Sequence, residues 1–98
     1  MVERKRLEIG AMTMSKGVAA KMRGAEGRSP FVKDVLTAMA RYIASDWGEV
    51  SEEDRQTNEK AIEHGGRVFA SYTADGQKVW VITEADRKST AILFPEEY

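Results

Sequence analysis

The dipeptide Asp75-Gly76 constrains the fold of this chain more than any other feature of its sequence. It lies between residues 67–73 and 78–83, two runs rich in β-branched and aromatic side chains. Asp-Gly favours a two-residue hairpin turn, because both turn positions adopt positive φ, which these two residue types tolerate. The pattern therefore predicts an antiparallel hairpin in which Ala74 lies opposite Gln77.

This register divides the side chains of the hairpin between two faces. One face carries Val68, Ala70, Tyr72, Val79, Val81 and Thr83, and the other carries Phe69, Ser71, Trp80 and Ile82. Residues 89–94 are expected to add a third strand that ends at Pro95. Because both faces are apolar, helices can cover one of them and leave the other partly bare, available to a partner or to a second copy of the chain.

Three segments before the hairpin carry signals for helix starts. Ser15 can cap a helix over residues 16–22. Ser29-Pro30 is expected to begin the main core helix, since serine caps the free amides and proline gives up a donor that has no partner. Ser51 with Asp54 three residues later resembles a capping box, and it opens a helix that runs to His64.

The remaining patterns complete a prediction of the whole fold. The second helix has an apolar stripe that should be buried, formed by Phe31, Val32, Val35, Leu36, Met39, Tyr42 and Ile43. Residues 7–14 alternate apolar and polar types, which predicts an N-terminal strand. We therefore expect an α+β fold of order β-α-α-α-β-β-β, with a three-stranded antiparallel meander and a single domain over residues 1–98.

Composition narrows the setting of the protein. The 98 residues include no cysteine, which excludes disulfides and thiolate zinc sites and favours a reducing compartment such as the bacterial cytoplasm. Residues 1–6 are charged but are not followed by the apolar run of a signal peptide, and no segment approaches the length of a transmembrane helix. We expect neither secretion nor membrane insertion.

Charge is distributed unevenly along the chain. Residues 1–45 contain nine Lys or Arg against four Asp or Glu, a net of +5, whereas residues 46–98 contain six against twelve, a net of −6. The second half is therefore the one that could attract a basic partner. The predicted contact residues are Glu49, Glu52, Glu53, Glu59 and Glu63, with Tyr72 and Trp80 adding apolar contact. Trp47 is instead expected to fill the space between the helices and the sheet.

The residue types needed for nucleophilic catalysis are scarce in this chain. Its one histidine, His64, is expected in the last turn of an acidic helix, where a cation complements the helix dipole. Gly24 and Gly27 lack the lysine and hydroxyl partners of a nucleotide-binding loop, so we predict no cofactor. We also predict no metal site and no enzyme activity. An acid- or metal-dependent site at Glu84, Asp86 and Arg87 is the alternative that stays open.

A second alternative concerns the basic N-terminal half. Its basic residues could follow the phosphates of a nucleic acid, although no aromatic side chains are interleaved with them for base stacking. They are Arg4, Lys5, Arg6, Lys16, Lys21, Arg23 and Arg28. This pattern keeps open a nucleic-acid-binding accessory role.

Several segments of the second half resemble a known family. They are Asp46-Trp47-Gly48, Glu53-Asp54, Asn58, Gly66-Arg67, Ser71-Tyr72, residues 80–87 and residues 90–98. The family consists of small uncharacterised bacterial proteins of phages, plasmids and other mobile elements, whose members often bear labels such as plasmid-related protein or, misleadingly, type I restriction enzyme subunit M. Residues 46–98 carry the resemblance, and residues 1–45 match only loosely. Members often have histidine at the position of Tyr42.

The resemblance implies a setting rather than a chemistry. Small proteins carried by phages and plasmids commonly bind host or defence proteins. Together with the acidic second half, this implies a counter-defence inhibitor, such as an anti-CRISPR or anti-restriction protein, that binds a nuclease effector with a basic surface. The tail, residues 95–98, belongs to the same pattern, and docking on the sheet is one role for it.

Overall fold

The computed structural model describes residues 7–24 and 29–98. Four strands, three α-helices and one 3-10 turn follow one another along this part of the chain. They are β1 (Ala11–Met14), α1 (Lys16–Gly24), α2 (Pro30–Ile43), α3 (Glu52–His64), β2 (Val68–Ala74), β3 (Gln77–Thr83), β4 (Ser89–Leu93) and η1 (Pro95–Glu97). The predicted α+β order is confirmed.

The four strands form one sheet in the order β1-β4-β3-β2. Strands β2, β3 and β4 form the predicted antiparallel meander, and Ala74 pairs with Gln77 as expected. Asp75 and Gly76 have φ values of 47° and 79°, as a two-residue hairpin turn requires. The sequence pattern did not reveal that β1 pairs in parallel with β4.

Strand β1 is shorter than predicted. Alternation suggested a strand over residues 7–14, but pairing begins only at Ala11. Gly10 precedes it with a φ of 60°, and a Cβ atom there would lie 2.5 Å from backbone atoms of Arg87 and Lys88. The chain bends at this glycine, so Leu7 enters the core while the side chains of β1 remain exposed.

The helices begin at the residues that the sequence indicated. Ser29 Oγ accepts a hydrogen bond from Val32 N at 3.2 Å, and Ser51 Oγ accepts one from Asp54 N at 3.0 Å. Ser15 Oγ caps α1 through Val18 N at 3.2 Å. Each cap satisfies an amide that would otherwise lack a partner in the first helical turn.

The core lies between the helices and one face of the sheet. The hairpin face led by Val68, Ala70 and Val81 is buried there, with Phe31 and Val35 of α2. The prediction for Leu36 was wrong, because its side chain is 62% exposed. The buried line of α2 follows the spacing i, i+4, i+7 and i+11, ending with Ala38 and Tyr42, and Leu36 lies one residue outside it.

A chain of hydroxyl groups crosses this core. Tyr42 Oη lies 2.6 Å from Thr83 Oγ1, which lies 2.7 Å from Thr90 Oγ1. Thr90 Oγ1 also lies 2.7 Å from the carbonyl oxygen of Ile9. Buried hydroxyls need such partners, since leaving one unpaired costs roughly 1–3 kcal/mol. This series of hydrogen-bonded hydroxyl groups links α2 to β3, to β4 and to the segment before β1.

The outer edge of β2 is covered. Asn58 of α3 donates from Nδ2 to Phe69 O at 2.6 Å and accepts from Phe69 N at 3.0 Å. Next to it, Glu49 N donates to Ser71 O at 2.7 Å, and Ser71 N donates to Trp47 O at 3.3 Å. This pairing satisfies backbone groups that an open edge would offer to other chains, and it holds α3 beside the sheet.

Some sequence predictions concern residues that the structure does not describe. Arg4, Lys5, Arg6, Gly27 and Arg28 lie outside the described residues. Within residues 7–24 and 29–98, no helix is long and apolar enough to cross a bilayer.

Candidate functional site

Helix α3 divides its side chains between the protein and the solvent. Asn58 and Ala61 are buried against β2, and Ile62 packs on the core. The opposite side is exposed. It carries four carboxylates, Glu52, Glu53, Glu59 and Glu63, which we call the acidic face. The predicted acidic contact residues of this helix are therefore accessible to a partner.

Arg55 pairs with part of the acidic face. Its guanidinium contacts both Glu52 and Glu59, at helical spacings of three and four residues. The hydrogen bonds from Arg55 lower the pKa of Glu52 to about 2. Glu53 and Glu63 are not contacted by Arg55, and the Glu63 carboxylate lies 3.5 Å from Nε2 of the exposed His64. The four carboxylates thus differ in how much of their charge a partner would meet.

Glu49 lies apart from the acidic face. Its carboxylate accepts hydrogen bonds from Thr73 Oγ1 at 2.8 and 3.0 Å, and it lies 3.6 Å from Lys78 Nζ. These contacts tie the segment before α3 to the hairpin strands. The role that the structure gives Glu49 is to hold the covered edge of β2.

Tyr72 was predicted to contact a partner, but its side chain is buried inside the protein. Only 1% of its surface is exposed, and its hydroxyl donates to Asp46 O at 2.6 Å. Burial raises its pKa well above the ordinary tyrosine value. The sequence placed Tyr72 on the correct face of the hairpin but did not reveal that helices cover that face. Trp47 is also buried, in the interior position predicted for it.

Trp80 lies on the other face of the sheet, among aromatic side chains. Its ring meets Phe69 edge to face at a centroid distance of 5.1 Å and meets Tyr98 at 5.7 Å. Together with Ile82 and Arg67 these residues line a cleft of about 250 Å³, which we call the aromatic cleft. The predicted bare face of the meander therefore contains a shaped apolar site.

The rim of the aromatic cleft is formed by an ion pair. Arg67 Nε lies 3.1 Å from Glu84 Oε2, and Arg67 Nη1 donates to Tyr98 Oη at 2.9 Å. The same guanidinium lies 5.7 Å from the centre of the Tyr98 ring. These contacts raise the pKa of Arg67 and hold Tyr98 beside Trp80. The tail thus docks on the sheet, the role considered for it from the sequence.

Glu97 anchors the tail from the other side. Its carboxylate accepts hydrogen bonds from Ser15 Oγ, from Gly17 N at 2.8 Å and from Phe94 N at 2.9 Å. These bonds lower the pKa of Glu97. The anchor joins the tail to the first turn of α1, which the sequence could not reveal because the partners are 80 residues apart.

In the turn that contains Glu84, Asp86 and Arg87, the side chains of Asp86 and Arg87 hydrogen-bond to the backbone of the fold. Arg87 donates to the carbonyl oxygens of Ala61 at 2.9 Å, of Gly66 and of Glu84 at 3.1 Å, so it caps the end of α3. Asp86 accepts from Lys88 N at 2.9 Å. In the part of the chain that the structure describes, no three His, Asp or Glu side chains are grouped closely enough to hold a metal ion.

Of the seven basic residues predicted to contact a nucleic acid, those that the structure describes lie on α1. Lys16 and Arg23 are exposed, while Lys21 contacts Gln77 and lies 4.8 Å from the centre of the Phe31 ring. Lys21 thus bridges the helix to the sheet.

Comparison of the chain with protein-family models, with curated proteins and with solved structures gave no match.

Proposed function

We propose that this chain is a non-catalytic protein-binding module whose acidic face occupies a basic surface on another protein. The observation that carries this proposal is the anchoring of α3. Asn58, Ala61 and the Arg87 cap fix the inner side of the helix to the sheet, so its four carboxylates stand on a rigid support. A helix that is already held in place binds without the entropy cost of ordering its backbone.

The charge and the family resemblance support the proposed class of partner. Carboxylates spaced along a helix present negative charge to a protein groove, as the phosphates of a nucleic acid do, and a basic nuclease channel is complementary to them. The resemblance to proteins of phages and plasmids supports a partner among the defence proteins of a bacterial host. We therefore propose a counter-defence inhibitor that acts in the bacterial cytoplasm.

Affinity capture tests this proposal directly. The tagged protein is incubated with lysate from bacteria that express CRISPR and restriction effectors, and bound proteins are eluted with a salt gradient. We expect one effector to be retained at low salt and released as the salt concentration rises, because screening weakens contacts between exposed charges.

A charge variant is the matched control for the capture. Lysine at positions 52 and 59 would place three cations together around Arg55, which would destabilise the helix by itself. Glu53→Lys with Glu63→Lys avoids this repulsion and should abolish capture while leaving the circular dichroism spectrum unchanged. Capture of the same effector by this variant, or retention of nucleic acid alone, would contradict the proposal.

A further inference from the structure

We propose that the aromatic cleft receives one large apolar side chain of the partner protein, and that basic residues flank this side chain in the partner. The inference rests on the protein-binding function proposed above and adds a second contact to it. It assigns to Phe69, Trp80 and Tyr98 the role of a pocket for an anchor residue.

The charge around the cleft favours a neutral occupant. Arg67 and Glu84 are bonded to each other at the rim, and Arg67 also bonds the Tyr98 hydroxyl. An ionic ligand would have to break this pair or be desolvated beside it. Phe69, Trp80 and Ile82 form apolar walls, so binding in the cleft is favoured by the removal of apolar surface from water.

The size of the cleft favours a side chain over a cofactor. Its volume of about 250 Å³ falls below the roughly 300–1,000 Å³ that is usual for small-molecule sites. Pockets that take a single aromatic or aliphatic anchor are typical of protein interfaces, where they supply much of the binding energy. The cleft is suited to Phe, Leu or Met.

The position of the cleft indicates which residues of the partner flank the anchor side chain. Arg67, at its rim, is separated from the end of α3 by only Gly65 and Gly66. Arg87 joins the two regions, since it donates to Ala61 O in the helix and to Gly66 O in the loop. A segment that fills the cleft and continues past this loop therefore meets the C-terminal end of α3, where Glu63 of the acidic face lies and where lysine or arginine is the complementary residue.

Two peptides of equal charge test the inference. Both have four lysines on each side of a central residue, which is Phe in one and Ala in the other. Binding to the full chain is followed by NMR through the indole N–H of Trp80, with that of buried Trp47 as the internal reference. We expect the Phe peptide to bind at least about tenfold more tightly and to shift the Trp80 signal, as burial of one phenyl ring predicts.

Two variants make the test specific. Trp80→Ala, for which binding is measured by calorimetry because the reporter indole is gone, should remove the preference for Phe. Tyr98→Ala should reduce it, and because Tyr98 is 67% exposed this change leaves the core intact. Glu53→Lys with Glu63→Lys should weaken both peptides while the preference for Phe remains.

The contradicting outcomes separate the two proposals. Equal affinity for the two peptides, with both weakened by the Glu53 and Glu63 reversals, would overturn the cleft inference and leave the acidic face intact. No binding of either peptide would also overturn the cleft inference, whereas the acidic face is judged by effector capture. Sedimentation that shows a dimer lost in Trp80→Ala would assign the cleft to a second copy of this chain instead.

Discussion

Asn58 shows how one side chain can decide the position of a whole helix. Its amide supplies a donor to Phe69 O and an acceptor to Phe69 N, so it completes the backbone pairing of β2 where no strand follows. Only a carboxamide offers both groups in this geometry. Asn58 is one of the residues on which the expected family resemblance rests, but its role depends on a contact that local patterns do not encode.

Replacing Asn58 should therefore be costly. Asn58→Ala leaves the amide and carbonyl of Phe69 without these partners in a partly buried position, and we expect a loss of roughly 2–3 kcal/mol in the free energy of unfolding. Urea denaturation measures this change. Gln56→Ala, on the exposed side of the same helix, is the control and should cost less than about 0.5 kcal/mol. Equal costs for the two variants would show that the Asn58 bonds do not stabilise the fold.

Two buried tyrosines predict how stability depends on pH. Burial raises the pKa of Tyr42 to about 12 from the ordinary value of 10.0, and it raises that of Tyr72 as well. The folded state therefore holds these protons more tightly than the unfolded state does. The resulting stability is complete below pH 10 and is lost as the pH rises from 10 towards 12.

Thermal unfolding measured between pH 8 and 12 checks this dependence. The midpoint should fall above pH 10, and the fall should be shallower in Tyr42→Phe, which has no proton to lose at that position. If Tyr42→Phe shows the same steep fall as the unmodified chain, Tyr42 does not contribute to it.

At the scale of elements, strand β2 is held in place from its outer edge by the segment that precedes α3. Gly48 pairs there with Ser71, at a φ of 69°. A Cβ atom at this position would lie 2.6 Å from the Tyr72 ring and would also contact Ser71 O. The close approach of two backbones is the reason that glycine is required.

Gly48→Ala and Gly65→Ala form a matched pair. Both positions have positive φ, but a Cβ atom at Gly65 meets nothing within 4 Å. Gly65→Ala should cost about 2–3 kcal/mol from backbone strain alone, because its φ of 86° and ψ of 155° lie in a region that is essentially confined to glycine. Gly48→Ala should cost at least about 2 kcal/mol more, because the edge segment must move as well. Denaturation midpoints give both values. Similar costs at the two sites would exclude steric contact as the reason for Gly48.

The elements that the sequence predicted well are those specified by neighbouring residues. The hairpin register and the serine caps follow from spacings of a few residues. For the core line of α2 the sequence predicted Phe31, Val35 and Tyr42, but it missed Ala38 and wrongly included Leu36. What the sequence missed depends on distant partners: the parallel pairing of β1 with β4, the Glu97 anchor and the burial of Tyr72. With two apolar faces on the meander, local patterns could not decide which face the helices cover.

At the scale of the whole molecule, the basic helix α1 and the acidic helix α3 lie beside opposite edges of the sheet. Strand β1 lies at one edge and is followed by basic α1, whereas β2 lies at the other edge beside acidic α3. Trp80 and its aromatic neighbours lie on the uncovered face between these edges. The candidate site could thus be predicted in part, as an acidic helix and Trp80, but the cleft itself required the tail to be placed.

The most direct test of the proposed binding function is the affinity of the captured effector for two double variants of equal charge. Glu53→Lys with Glu63→Lys alters the acidic face, and Glu8→Lys with Glu96→Lys alters exposed carboxylates outside it. Calorimetry over a range of salt concentrations should show the first variant weakened at least about tenfold, with a smaller salt dependence, and the second within about twofold of the unmodified chain. Equal weakening of both variants, or of neither, would contradict binding through the acidic face.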